Sequence, residues 1–359
     1  MIVLNGEPFT RYNLRAMYPF AHEIIIVEGA CPTAKDYARP DGHSKDGTLE
    51  ILYEFQSRED PERKVTIVTA KEENHLNGFW LEKDEMSQTY AKRATGDYLW
   101  QVDVDEFYRS DQMQYVIEML RKDPDIKAVT FRAIQFWGGI EYRTDGFALR
   151  RGAYNFHRIF AWKGGYRYTT HRPPTVIDEH GRSLRDIKTI TGNEMARRGI
   201  FLYHYSFLFP FQIRFKLAYY GGWDNFGDKL PNLIPEIMHK RKLWANNFFY
   251  LKKPFLIDDT SVRDGPSWIR HFKGEPPEPI QQLWRDIREG KILIDLRTNE
   301  DVKRLLKKPW YRIAIAFLTL TCSFLDNANQ IRRAFYRTAR VSHNFKLKGK
   351  TLTDIKHNE

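Results

Sequence analysis

Residues 99–108 read LWQVDVDEFY, which puts three carboxylates, Asp103, Asp105 and Glu106, at the end of an apolar run. A buried carboxylate without a partner costs several kcal/mol or is neutralised by a shifted pKa, so such a cluster calls for a cation. Oxygen-rich, thiol-free ligation suits Mg²⁺ or Mn²⁺, which typically takes one or two carboxylates together with substrate phosphates. A divalent ion bridging a diphosphate would account for the cluster; so would a solvated strand end followed by an acidic helix cap, since a bare D-x-D is common. Asp103 and Asp105 point to opposite sides if the strand continues through Val104, and converge only if the chain turns there.

The elements that must position these carboxylates alternate. MIVLN and EIIIVEG (23–29) are short β-branched runs, as buried parallel strands are, with PFTRYNLRAMYPF between them suited to a helix. DGTLEILYEFQSR (46–58) reads as a helix with Asp46 as a cap, KVTIVTA (64–70) as a strand, EKDEMSQTYAKRAT (82–95) as a helix, and DYLWQVDV (97–104) as a fourth strand. This β-α repeat predicts an α/β fold with a mostly parallel central sheet and flanking helices, whose ligands bind at the carboxyl ends of the strands. Asn5, Glu28, Asp103 and Asp105 each follow a strand, so the pattern predicts that they converge. From about 125 to 205 the chain is strand-rich and mixed; after 210 it turns helical and aromatic, with a break at KGEPPEP (273–279). A soft boundary near 255 separates a domain over 1–255 from a helical extension over 256–359, which packs on the core. The first strand is brief as read; either it is short or the chain's true start lies upstream.

The 359 residues, 42% hydrophobic and 14% aromatic, are enough for a large core. A formal net charge of +11 favours phosphorylated small molecules, anionic lipid or nucleic acid as company. No zinc-knuckle spacing, RRM-like signature or basic zipper supports nucleic acid, which is set aside as a partner. Two distant cysteines, Cys31 and Cys322, give no disulfide framework and fit a reducing compartment, and no signal peptide is read at the N-terminus. The expected location is cytoplasmic.

Taken together and in order, these segments resemble the GT-A glycosyltransferases of the family 2 type. VLNGEPFTRYNL is similar to that family's opening strand and N-E-x-x-x-L turn, with Gly6 in the usual Glu place. HEIIIVEGA followed by DGHSKDGTLEIL is similar to its D-G-S-x-D-G-T segment, with CPTAKDYARP inserted. EKDEMSQTYAKRATGDYLWQVDVDE resembles its run of a lysine, A-x-G-D and D-x-D. The resemblance implies a nucleotide-diphosphate-sugar donor touching Leu4, Asn5, Glu7 and Glu28, and a phosphate paired by Lys83 unless that lysine is a solvated helix residue. Asp103 would face the ribose or the metal, and Asp105 would be the surer ligand of Mn²⁺ or Mg²⁺. Asp46 more plausibly caps its helix than touches ligand.

The second half resembles transferases that decorate lipopolysaccharide cores, through Arg158-Ile159-Phe160 with His171, and through LYHYSFLFPFQIRFK with His204 and Lys216. The resemblance implies His204 as a further metal ligand; a hydrogen-bonded core histidine is the alternative. It also implies Arg172 beside the phosphates, where those enzymes carry a Glu. That departure leaves the catalytic base to be found elsewhere, with Asp224 and Glu194 as candidates, and Asp178 and Glu179 as turn residues in solvent. Trp137, Tyr220 or Trp223 would stack on a sugar, or else, as most aromatics in so aromatic a chain do, belong to the core.

The expected activity is metal-dependent transfer of a sugar from a nucleotide donor to a saccharide or lipid-linked acceptor in surface polysaccharide or glycolipid assembly. The alternatives are an inactive nucleotide- or saccharide-binding scaffold, suggested by Gly6 and Arg172, and a sugar-phosphate nucleotidyltransferase, which would open with a Gly-rich loop where VLNGEPFTRYN has one glycine. IAIAFLTLTCSFL (313–325) is too short to cross a bilayer as a helix. It precedes a stretch, 326–359, with eight Lys/Arg against three acids, a net of +5. The pair predicts peripheral attachment to an anionic inner leaflet, or else a packed helix with a solvated basic end.

Overall fold

The computed structural model describes residues 1–150, 154–221, 247–257, 266–322 and 324. The chain runs β1 (Ile2–Val3), α1 (Thr10–Met17), β2 (Ile24–Glu28), a 3₁₀ turn (Pro32–Tyr37), α2 (Thr48–Arg58), β3 (Val65–Thr69), α3 (Lys83–Arg93), β4 (Tyr98–Trp100), β5 (Glu106–Phe107) and α4 (Ser110–Lys122). There follow β6 (Ala128–Trp137), β7 (Tyr142–Gly146), α5 (Phe147–Arg150), β8 (Asn155–Ala161), β9 (Arg167–His171), β10 (Pro174–Ile177), β11 (Thr189–Ile190), α6 (Gly192–Arg197), β12 (Leu202–Phe207), α7 (Pro210–Gly221) and β13 (Ser267–His271). Helices Glu278–Arg288 and Arg297–Lys307 come last among the fully described ones.

The fold is α/β, and its sheets are divided. β1, β2 and β3 form a parallel three-stranded sheet, in which all five residues of β2 are buried, as both-face coverage by helices requires. Helix α1 faces it with Thr10, Asn13, Leu14 and Met17, an i, i+3, i+4, i+7 stripe. The expectation of one mostly parallel sheet is corrected from β4 onward. β4 pairs antiparallel with β8 through Leu99–Phe160 and Trp100–Ile159, and so enters a mixed eight-stranded sheet. Within it β12 and β11 run parallel to β6, while β7 and β8 run antiparallel to it. An apolar run announces a strand, but its pairing partner is decided by distant residues, here 155–161.

The segment after 255 is also not purely helical. β13 extends the large sheet along β7, and Ile280, Leu283, Trp284 and Ile287 of the next helix share one apolar cluster with Phe9, Phe107, Phe136 and Tyr205. The elements on either side of residue 255 therefore share a sheet and a core.

Candidate functional site

The D-x-D segment does turn. After β4 the chain bends at Val104–Asp105, closed by the Glu106 N–H donating to the Asp103 carbonyl at 2.9 Å. The buried Asn13 amide of α1 braces the turn, donating to the carbonyls of Glu106 (2.7 Å), Val104 (3.1 Å) and, more weakly, Asp103 (3.4 Å). One buried side chain thus ties together three carbonyls of the bend, in addition to the backbone bond that closes it.

The three carboxylates divide their work. Glu106 is buried and forms a two-pronged pair with the guanidinium of Arg158 on β8, Nε donating to Oε2 at 2.8 Å and Nη2 to Oε1. Arg158 Nη2 also donates to Asp103 Oδ2 at 3.1 Å. Burial pushes the Asp103 carboxyl up, but Arg158, His171, Arg172 and Lys83 outweigh it and hold the group well below the usual carboxylate range. Burial likewise pushes Glu106 up, with Arg158 pulling the other way. The cation that the buried part of the cluster requires is therefore an arginine.

Asp105 faces the other way, toward β12. Its Oδ2 accepts from Ser206 Oγ at 2.7 Å, and its Oδ1 lies 3.7 Å from His204 Nε2. Ser206 Oγ also bonds His204 Nε2, the ring nitrogen beside Asp105, and which of the two donates depends on the tautomer of the ring. His204 Nδ1 is buried with no hydrogen-bond partner. Burial against Phe156 and Phe207 lowers the His204 pKa to about 4, with Asp105 opposing, so the imidazole is neutral at pH 7 and able to ligate a metal. Among the described residues no three Asp, Glu, His or Cys side chains stand together at metal-holding distances. Asp105 and His204 stand side by side, and Asp103 lines the same cavity with its carboxylate tied to Arg158.

These groups line an open cavity of about 1060 Å³ at the carboxyl ends of β1 and β2. Its walls carry six cationic side chains, from Lys45, Lys83, Arg158, Arg172, Arg214 and Lys216, against five carboxylates, from Glu7, Asp36, Asp46, Asp103 and Asp105. The near balance means that one bound divalent ion would leave a surplus of positive charge for a diphosphate. Lys83 is the first residue of α3, and His171 and Arg172 come from the end of β9. His171 is buried beside Asp103, fixed by its own N–H to Asp84 Oδ1 (2.7 Å) and by Nδ1 to Ser87 Oγ (3.0 Å), and burial lowers its pKa to about 4.

The opening loop forms the opposite wall. Asn5 adopts φ 53°, a left-handed conformation that Asn tolerates. Its side chain is committed to the Tyr37 carbonyl (2.8 Å) and the Lys45 N–H (2.8 Å), so it braces the loop. Gly6 leaves no room for a side chain: a Cβ would stand 2.8 Å from both Thr10 Oγ1 and Val3 Cγ2. Glu7 instead presents a carboxyl to the cavity, with Oε1 buried and unbonded; burial, opposed by Thr10, raises it to about 7. Asp46 lies at the mouth of α2, accepting from Thr48 N (3.1 Å) and Glu7 N (2.9 Å), and Gly47 takes the cap position itself. The inserted CPTAKDYARP segment supplies wall residues Ala34, Asp36 and Tyr37, and Tyr37 packs edge-on against Phe215 of α7.

Several sequence expectations are met differently. Leu4, Asn5, Glu7, Lys83, Asp103, Asp105, Arg172 and His204 all line the cavity. Glu28 does not: its side chain is fully buried, accepting from Ser44 N (2.8 Å), Ser44 Oγ (2.7 Å) and His43 Nδ1 (2.7 Å), because β2 is covered on both faces. Glu194 is no part of the site either. It closes a capping box with Thr191 at the start of α6, an assignment its T-G-N-E spelling supports. Asp178 is held by Arg182 and by its own turn. Trp137 is fully buried in the core, and Asp224 and Trp223 lie outside the described residues.

Arg158 and Asn13 are the site residues that spacing did not assign. Arg158 is a charged residue among apolar neighbours of a strand, a pattern that asks for a buried partner; nothing in α1 singles out Asn13 beyond a polar residue on the buried stripe. The sequence matches no protein-family model, and no curated protein matches it significantly.

Proposed function

We propose that the chain is a metal-dependent glycosyltransferase with a GT-A type donor site, which moves a sugar from a nucleotide diphosphate to a saccharide or lipid-linked acceptor. The observation that carries the reading is the turned D-x-D, which brings Asp105 beside a neutral His204 in the wall of a cavity lined by both cations and carboxylates. Asp105 and His204, with Asp103, would hold Mn²⁺ or Mg²⁺, whose chemistry is to neutralise the departing diphosphate. Lys83, Arg172 and Lys216 add positive charge around the same volume. Arg158 fixes Asp103 in one orientation, so the carboxylate need not reorganise when the donor arrives.

The nucleotide end would lie along Leu4–Glu7 and the inserted wall. Glu7, near neutrality, can donate a hydrogen bond to a base edge as well as accept one. On the acceptor side the rim carries Phe211 and Leu293, both exposed, an apolar lip suited to a stacked sugar or a lipid-linked chain.

The test is release of the nucleotide from a panel of donors with Mn²⁺ present: nucleoside diphosphate from UDP-, GDP- and dTDP-sugars, and CMP from CMP-sugars, which serve as the monophosphate control. Turnover of one nucleotide class, abolished by chelator and by His204→Ala, supports the proposal. Tight donor binding with no metal-dependent turnover, with or without saccharide acceptors, favours the binding scaffold instead.

A further inference from the structure

The helix over 309–322 is apolar on two sides. Tyr311 and Cys322 are buried, and Ile315 and Leu318 pack on the same cluster, which holds Trp137, Trp268 and Val302. The Tyr311 hydroxyl, accepting from the Ile269 N–H at 2.9 Å, anchors this inner side to β13. On the outer side Trp310, Ile313, Phe317 and Leu320, continued by Phe324, are 49%, 71%, 68%, 71% and 73% exposed. Their alternating spacing of three and four draws one stripe along the helix. Scattered exposed apolar residues need no explanation, but a contiguous row of five large ones marks a surface that something covers.

The charge around the stripe says what covers it. Lys307, Lys308 and Arg312 are exposed at its N-terminal end. Farther along, Arg150 donates from Nη1 to the Thr319 carbonyl at 3.4 Å. Arg150 belongs to a cluster in which Arg143 and Arg270 also surround one carboxylate, Asp145. The sequence that follows, 326–359, adds the net +5. A second copy laid on the stripe would bring these cations against their own kind. An anionic lipid surface matches both the apolar row and the charge.

We propose that this stripe and the cations flanking it dock the protein on an anionic membrane. Trp310 and Phe317 enter the acyl boundary, and the basic residues meet lipid phosphates. Among the described residues no helix is long and apolar enough to cross a membrane, so the helix lies in the interface plane. The inference stands on the outer surface and is independent of the transferase reading.

The test is co-sedimentation of the full chain with vesicles of phosphatidylcholine alone and of phosphatidylcholine with an equal part of phosphatidylglycerol. The expected result is binding to the phosphatidylglycerol vesicles that weakens with salt. Phe317→Gln/Leu320→Gln should lower affinity by about thirtyfold. Ile313→Gln is the independent second variant, expected to weaken binding by about tenfold. Both lie at exposed positions, so folding is retained, as circular dichroism would verify. Leu76→Gln, at a 97% exposed site elsewhere, and Asp105→Ala should bind vesicles as the native chain does. Three results would overturn the proposal: no binding to phosphatidylglycerol vesicles at low salt, unchanged binding by both stripe variants, or stripe-dependent self-association in light scattering, which would identify a second copy as the occupant.

Discussion

Replacing Arg158 with Met would show what the buried half of the D-x-D cluster depends on. The substitution keeps most of the side-chain volume but removes both guanidinium bonds to Glu106 and the one to Asp103. Glu106 has a fully buried side chain and would keep the Asp103 N–H, at 3.3 Å, as its donor there. Stripping one partner from a buried ion pair costs about 3–5 kcal/mol, because the survivor's charge is left uncompensated. The variant should lose that much in urea unfolding at pH 8.5. The loss should shrink toward pH 5.5, because a carboxyl whose pKa is raised in the folded state binds its proton there before the unfolded chain does. Stability on that account falls as pH rises. The double variant Arg158→Met/Glu106→Gln removes the stranded charge and should regain more than half of the loss. A single-variant loss under about 1 kcal/mol, or a double variant no more stable than the single, would refute the view of Arg158 as the internal counter-ion.

Two further outcomes follow from the cavity walls. Asn13→Ala should cost about 1–3 kcal/mol in urea unfolding, since it removes the amide that binds the carbonyls of the Asp103–Glu106 turn; it should also weaken donor binding, and full retention of both would show that the turn holds itself. Glu7→Gln should stabilise the protein by about 1–3 kcal/mol at pH 8, with the gain vanishing below about pH 4.5. Burial raises this carboxyl to about 7, so the native chain pays to ionise it as pH rises through that value, and a pH-independent difference in melting temperature would contradict the assignment.

The parts of the fold that could be read from sequence are those set by local pattern. The alternation through residue 95 yields β1 to α3 nearly as expected, because strand and helix periods there are unbroken and each boundary has a turn residue. The D-x-D could be read as a conditional on a turn, and the Asp103–Glu106 bond is that turn, yet the two side chains divide there, Asp103 to Arg158 and Asp105 to Ser206 and His204. What could not be read depends on partners far along the chain. β4 looks like a fourth parallel strand until the residues of β8 claim it. Glu28 ends a strand as Asp103 nearly does, yet position after a strand does not say whether a carboxylate meets the cavity or is held behind it by Ser44 and His43. Arg158 is spelled plainly, but its role requires knowing that β8 lies beside the D-x-D turn. The outer stripe at 313–324 has the apolar character of a core helix, and only packing shows that one side of it is left uncovered.

The central claim is that Asp105 and its neighbours hold a metal-bound nucleotide diphosphate. The direct measurement is the melting temperature of the native chain and of Asp105→Ala with UDP-, GDP- and dTDP-sugars, each with Mn²⁺ and with chelator. At a donor concentration near one hundred times Kd, binding contributes about 2.7 kcal/mol, a rise on the order of 5 °C. The account predicts that rise for one nucleotide class, lost with chelator and lost in Asp105→Ala. A folded native chain that shows no shift with any donor, or an Asp105→Ala variant that shifts as far as the native chain, would contradict it.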